Sequence, residues 1–314
     1  MVTARKNPLK LDATESMFFE RELEHVKSKT YDVKFKDLRA FQFIPVSAEA
    51  PNGATEITWR QFSQYGMARI IADYAHDFPR VDVYGEENTS KIYDLGDSYG
   101  YSIPEIRRSA MVGRDLEPRR AKAARRAIDE AINTIALTGN TAHNIQGFID
   151  YPGVNEYVTP NGASGDTKWT TKTPTEILID LNGIVSAIVS ITSAKEYPDT
   201  ILMPLAQLTL IKNTRLGTGT DTTIYEFFKR NNPDITIDWL GELEDGGDVD
   251  TDSAATDRMI AYTRDAEHLT MEIPLAFEQL DAEKTGMEYT IPCHASTGGV
   301  VVYYPLSIAI ADQI

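Results

Sequence analysis

The stretch from Arg80 to Ile103, RVDVYGEENTSKIYDLGDSYGYSI, constrains the fold more than any other. It reads as a long β-hairpin, with Val81 and Val83 on one arm and Ile92 and Tyr93 on the other. The tip, GEENTS at 85–90, is too polar and too far from any apolar run to join the chain's own core. An isolated two-stranded ribbon is marginal in water. A chain built around one needs a surface beyond its own core to order it.

The rest of the chain can supply a core. It has 314 residues, 42% of them hydrophobic, which allows one large domain or two ordinary ones. The single cysteine, Cys293, excludes a disulfide framework within one chain and suits a reducing compartment. The start, MVTARKNPLKLDATES, has no apolar signal region, and the longest apolar run, GGVVVYYPLSIAIA, is too short to span a bilayer and is interrupted by Pro305. A soluble, non-secreted chain with no membrane partner is expected.

Charge divides the chain. Residues 1–150 are nearly neutral at −1, whereas 151–314 carry −15 of the total −16. The acidic half repels a phosphate backbone, so any nucleic-acid reading rests on the first half.

Element signals run the whole length. DATESMFFERELEHVKS reads as a helix with a capping box at Asp12 and Glu15 and with Phe19, Leu23 and Val26 on one face. YDVKFKDLRAFQFIPV begins with strand alternation at Tyr31, Val33 and Phe35, and PNGATEITWRQF is a turn followed by a short strand. SIPEIRRSAMVG is a short helix with a capping box at Ser102 and Glu105. The longest helix is expected from about Leu116 to Leu137, with Asp115 as N-cap and Gly139 past its end. Ala121, Ala124, Ile128, Ala131, Ile132 and Ile135 share its apolar face, and Arg119, Arg126, Glu130 and Asn133 the opposite one. Thr173, Pro174 and Glu176 open another helix; PDTILMP, ITIDWLGEL and RMIAYTRD are strands, and TTIYEFFKRNNP is a helix. The tail, EYTIPCHASTGGVVVYYPLSIAIAD, reads as two strands joined by a glycine-containing turn. The class is mixed α+β.

No catalytic constellation emerges. DVDTDS at 248–253 imitates a calcium loop but has Ser253 at the glycine position and Met259 at the twelfth, so it reads as a solvated acidic loop. LGTGTDTT lacks the lysine of a phosphate loop. Cys293 and His294 are adjacent in a strand and point to opposite faces, and His25, His76, His143 and His268 have no metal-ligand spacing. RRAKAARRAIDE, 119–130, is the sharpest basic cluster. Its arginines have i,i+4 carboxylates at Asp129 and Glu130, and no aromatic lies in the helix to stack a base. Arg119 and Arg120 sit where the helix dipole disfavours cations, which points to an acidic partner from the same or a second chain, with phosphate as the weaker alternative.

The order of hairpin, short helix, long helix and acidic α/β region resembles the major capsid proteins of tailed bacteriophages, a fold shared with encapsulins. The resemblance is carried by the segment from ATEITWRQF through SIPEIRRSAMVG, by LEPRRAKAARRAIDEAINTIALTGN, and by GFIDYPGVN at Gly147–Asn155, where Asp150 replaces the family's usual Asn. FFERELEHVKSKTYDVKFKDLRAFQFIPV is similar to one branch of the family.

The resemblance implies an N-terminal arm (1–50) and an extended loop, the E-loop (51–104). It implies a peripheral domain with the long spine helix (105–171 and 286–314) and an axial domain (172–285). It implies a non-enzymatic subunit, without cofactors or metals, that self-assembles into pentamers and hexamers of an icosahedral shell around phage double-stranded DNA. The DNA would be enclosed without sequence-specific binding. Scaffold, portal or decoration proteins are expected partners, the virion the destination, and the host bacterial cytoplasm the site of assembly. Glu86, Glu87, Lys91, Arg119, Arg120 and Arg126 are the candidate intersubunit contacts. The alternatives are an encapsulin-type compartment subunit and a soluble α/β enzyme.

Overall fold

The protein is described from a computed structural model covering residues 35–68, 70, 80–112, 119–217, 219–244 and 257–314. Leu38–Ile314 form one unit and Met1–Asp37 another, of which only the last three residues are described. The expected helix at 12–28, the strand residues Tyr31 and Val33, Asp115, His25, His76 and the acidic loop 248–253 lie outside the described residues.

The chain opens with α1 (Ala40–Phe43), β1 (Val46–Ser47), β2 (Glu56–Tyr65), β3 (Asp82–Lys91) and β4 (Tyr93–Ser102). Next come α2 (Ile103–Val112), α3 (Arg119–Thr138), β5 (Asn155–Glu156) and α4 (Pro174–Ile191). Then follow β6 (Thr200–Met203), α5 (Leu205–Asn213), α6 (Ile224–Asn231), β7 (Thr236–Trp239) and β8 (Arg258–Tyr262). The last strands are β9 (Leu269–Glu272), β10 (Leu275–Gln279), β11 (Glu283–Thr285), β12 (Glu288–Thr297), β13 (Gly299–Val302) and β14 (Ala309–Asp312).

One sheet divides two cores. Its order is β5-β14-β8-β6-β7. Side chains alternate across a strand, so Leu202, Ile260, Tyr262 and Ile310 enter one core, while Ile201, Met203, Met259, Ala261, Ala309 and Ala311 enter the other. With both faces covered, these strands read as unbroken apolar runs. The second core is closed by α4, through Ile177, Leu181, Ile184 and Ile188, and by α5 and α6. The α4 sequence is long and apolar enough to cross a membrane, but its apolar stripe is committed to this core.

The first core lies under α3. Ala124, Ile128 and Ile132 are buried as expected, together with Ala136 and Leu137. Asn133 is also buried, against expectation: its Oδ1 accepts the Ala40 N–H at 3.0 Å, which ties α1 to the long helix. The stretch expected to continue as strand after Phe35 instead turns into α1. Past α3, Gly139 (φ +74°) and Gly147 lie back to back; a Cβ on Gly139 would sit 2.6 Å from the Gly147 nitrogen. This approach lets the 145–149 segment return along the helix end, where Phe148 and Ile149 N–H groups bond the Ala136 and Leu137 carbonyls.

The hairpin is not the expected one. GEENTS is not a tip; it runs through β3, which pairs along all ten residues with β2. The polar residues stay extended because β2 offers matched partners, Thr58 opposite Thr89 and Arg60 opposite Glu87. The other expected arm, β4, pairs instead with β12, from Tyr93↔Thr297 to Ser102↔Glu288. The tail also differs: it forms β12, β13 and β14 in three separate sheets, because Gly298–Gly299 sends β13 to β9 and residues 305–307 send β14 to β8. The expected boundary at 285/286 crosses sheets, since β10 and β11 pair with β12, and β14 with β8.

Candidate intersubunit surface

The β2–β3 ribbon has a root and an outer half with different surroundings. At the root, Ile57, Trp59 and Gln61 share a face with Asn88 and Ser90. That face rests on the body: Trp59 packs edge-on to Tyr303 at 5.8 Å, the Gln61 amide donates to the Tyr303 carbonyl, and the Ser90 hydroxyl to the Gly298 carbonyl. Beyond Gln61 and Glu86 this support ends. Phe62 and Val83 lie on one face and Tyr65 and Tyr84 on the other, and all four are exposed, Phe62 by 68% and Tyr84 by 61%. The two tyrosines touch edge-on at 6.0 Å. Four large apolar side chains on both faces of a two-stranded ribbon form an association surface, because nothing in the described chain covers them.

A 780 Å³ groove opens beside the ribbon, lined by Arg60, Phe62, Ile191, Tyr304 and Leu306 among others. It joins the ribbon to the end of α4 and the 305–307 turn. Its apolar side chains offer contact area.

The six candidate contact residues fall in two places. Glu86 stands opposite Gln61, Lys91 opposite Glu56, and Glu87 pairs with Arg60 at 2.7 Å, all on exposed strand. Arg119, Arg120 and Arg126 lie on α3. Arg120 finds its acidic partner within the chain: its guanidinium makes a fork to Glu105 at 2.7 and 3.1 Å and lies 4.8 Å over the Tyr101 ring. The Glu105 N–H in turn is donated to the Ser102 hydroxyl, the expected cap of α2. Arg125 reaches Asp129 at 3.9 Å, as the i,i+4 spacing predicts. Burial lifts the Asp129 carboxyl above its ordinary pKa, opposed by Arg125 and Arg126.

The residues that sequence reasoning missed are the aromatics of β2. Their signal was the run EITWRQFSQY, in which polar and apolar residues alternate without a matching partner nearby. A second omission is a buried ion pair. Lys172 Nζ lies 2.6 Å from Asp180 Oδ2, both side chains 1% exposed, and the Trp169 indole donates to the same oxygen at 3.0 Å. Burial raises the Asp180 pKa, offset by the Lys172 bond and charge. The pair fastens the 169–173 segment to α4.

Cys293 and His294 point apart as expected: the thiol is buried, which pushes its pKa up, and His294 faces Asp94 at 3.3 Å on the other side. Among the described residues, no group of three or more His, Cys, Asp or Glu is placed to hold a metal ion.

Comparison with known proteins places this geometry. A family model described as "Major capsid protein" matches residues 66–314. The capsid of Myoviridae phage XM1 superposes with a TM-score of 0.78 at 18% identity, covering 96% of this chain and 100% of that one. The capsid of an empty GTA particle gives 0.63 at 12% identity, covering 96% and 99%. A virus-like particle from Pyrococcus furiosus gives 0.51 at 12% identity, covering 86% and 90%. No curated protein matches.

Proposed function

The chain belongs to the major capsid protein family, and from that premise we propose that it builds the icosahedral shell of a tailed phage from pentamers and hexamers of itself. The family match over 66–314 carries the reading. The exposed apolar ribbon supports it, because a subunit that ends in an uncovered hairpin is incomplete alone.

The proposed layout is an arm (1–50), an extended loop (51–104), a peripheral domain (105–171 and 286–314) and an axial domain (172–285), the last two sharing sheets. The shell encloses double-stranded DNA, held without sequence-specific contacts because the acidic half of the chain repels phosphate. Scaffold, portal and decoration proteins would act on this shell, assembled in the host cytoplasm and completed as the virion. Glu86, Glu87 and Lys91 on the ribbon, and Arg119 and Arg126 on α3, are proposed to meet opposite charges on neighbouring copies. Arg120 serves that contact through its exposed fork with Glu105.

Electron microscopy of the purified protein tests the reading: rings or closed shells are expected, and a strictly monomeric species at every concentration and salt would refute it. The ultraviolet spectrum of shells from the producing cell separates enclosed DNA from the protein cargo of a compartment subunit.

A further inference from the structure

The β4–β12 ladder has two unlike faces. Leu95, Tyr99, Cys293 and Ala295 turn inward to the core of α3. The alternate residues turn away from it: Asp94, Gly96, Ser98 and Gly100 on β4, and Thr290, Pro292 and His294 on β12. These form a flat strip, ten residue pairs long, floored by small side chains. Asp94, Glu278, Glu283 and Glu288 stand exposed along it.

Gly96 lies in mid-strand on this strip with an ordinary φ, and a Cβ added there would meet nothing closer than the Cys293 carbonyl at 3.9 Å. By contrast, an added Cβ would run into the Phe62 ring at Gly85 and into Glu288 at Gly100. The subunit itself therefore gives no reason for glycine at 96. Glycine inside a strand weakens it and marks places where another backbone comes close.

From this, and resting on the shell reading above, we infer that the strip centred on Gly96 is the landing surface for the outer half of the β2–β3 ribbon of a second copy. The ribbon suits the strip on three counts. It is extended and flat, as the strip is. Its outer half, 60–66 with 80–86, balances Arg60 and Arg80 against Asp82 and Glu86, so the acidic rim repels it less than the rest of a −16 chain. Its aromatics are uncovered in the single subunit.

The test uses the full chain. Gly96→Val keeps an extended backbone and adds a β-branched side chain suited to a strand. The variant subunit is expected to unfold at the same temperature as the parent or higher, while shells counted by electron microscopy fall at least tenfold. Parent-like assembly of Gly96→Val overturns the inference. Ser98→Cys provides a reading independent of folding, since Cys293 is buried. Its thiol is expected to react with maleimide freely in subunits and at least tenfold more slowly in shells; equal rates overturn the landing site. A Val83→Ser/Tyr84→Ser chain separates the two readings. If it assembles normally while the Ser98→Cys thiol is protected, the strip is covered by another part of the neighbour and the ribbon assignment fails. If it does not assemble and the thiol stays open in parent-background shells, the ribbon matters but lands elsewhere.

Discussion

The five-stranded sheet and the β2–β3 ribbon are made of equally extended chain and differ in what covers them. In β6, β8 and β14 almost every residue is buried, on alternating sides, in two cores. In the outer half of the ribbon both faces are open. Burying an Ile or Leu contributes about 1.5–3 kcal/mol, so the sheet repays its own ordering, whereas the outer ribbon gains nothing comparable until a partner arrives. The sheet specifies the fold of one subunit and the ribbon specifies how subunits meet. Changes in the first region are therefore expected to act on stability, and changes in the second on assembly.

The largest stability effect is expected where the acidic body holds a charge inside. Lys172→Met leaves Asp180 buried without its partner and should destabilise the subunit by about 3–5 kcal/mol in denaturant titrations. Lys172→Met/Asp180→Leu should recover most of that loss, because an apolar pair of similar volume is often no worse than a buried ion pair. A full loss in the double variant would mean that the Trp169 bond, not the charge pair, fastens the segment.

The ribbon should respond the opposite way. Val83→Ser/Tyr84→Ser removes exposed apolar groups from both faces, so subunit stability is expected to stay within about 0.5 kcal/mol. Shell counts should fall at least tenfold. A large stability loss in isolated subunits would erase the distinction between the two regions.

Salt sharpens the comparison further. With −15 of the charge after residue 150, association is expected to be self-repelling at low ionic strength. Raising salt from about 0.01 to 0.15 M shortens the screening length from roughly 30 to 8 Å, and light scattering should show assembly rising several-fold. A steep fall would show that attractive ion pairs, such as those proposed for Glu86 and Arg119, outweigh the net repulsion.

The same contrast explains what was legible. Elements defined by local chemistry were readable: the Thr173–Pro174–Glu176 start of α4, the Ser102–Glu105 cap of α2, the buried stripe of α3, and TILM as a covered strand. Elements defined by distant partners were not. GEENTS carries turn-forming residues and becomes strand only because β2 lies alongside, and β4 is paired to β12 about 190 residues away. Asn133 reads as a surface residue until the Ala40 N–H is known to need an acceptor. The contact residues suffered most, since their partners belong to another copy.

The smallest expected effect tests whether the body's local capping is as independent of assembly as the comparison requires. Glu176 accepts the Thr173 N–H and hydroxyl, both at 2.8 Å, and the Ala163 N–H at 2.7 Å. The Thr173 N–H, then its hydroxyl, then the Ala163 N–H hold the Glu176 carboxyl below its ordinary pKa. A lowered carboxyl binds its proton less readily in the folded state than in the unfolded one. Its contribution is therefore fully present above the ordinary glutamate value of about 4.3 and fades as pH falls through the lower folded value. Glu176→Gln should lower the unfolding temperature slightly at neutral pH, by the same amount in subunits and in shells, and this gap should narrow as the solution is acidified below about pH 4. A gap that stays constant into strong acid would mean that the side chain matters for its shape and hydrogen bonds alone. A gap seen only in shells would place the start of α4 at an interface, and the division between a self-sufficient body and a dependent ribbon would have to be redrawn there.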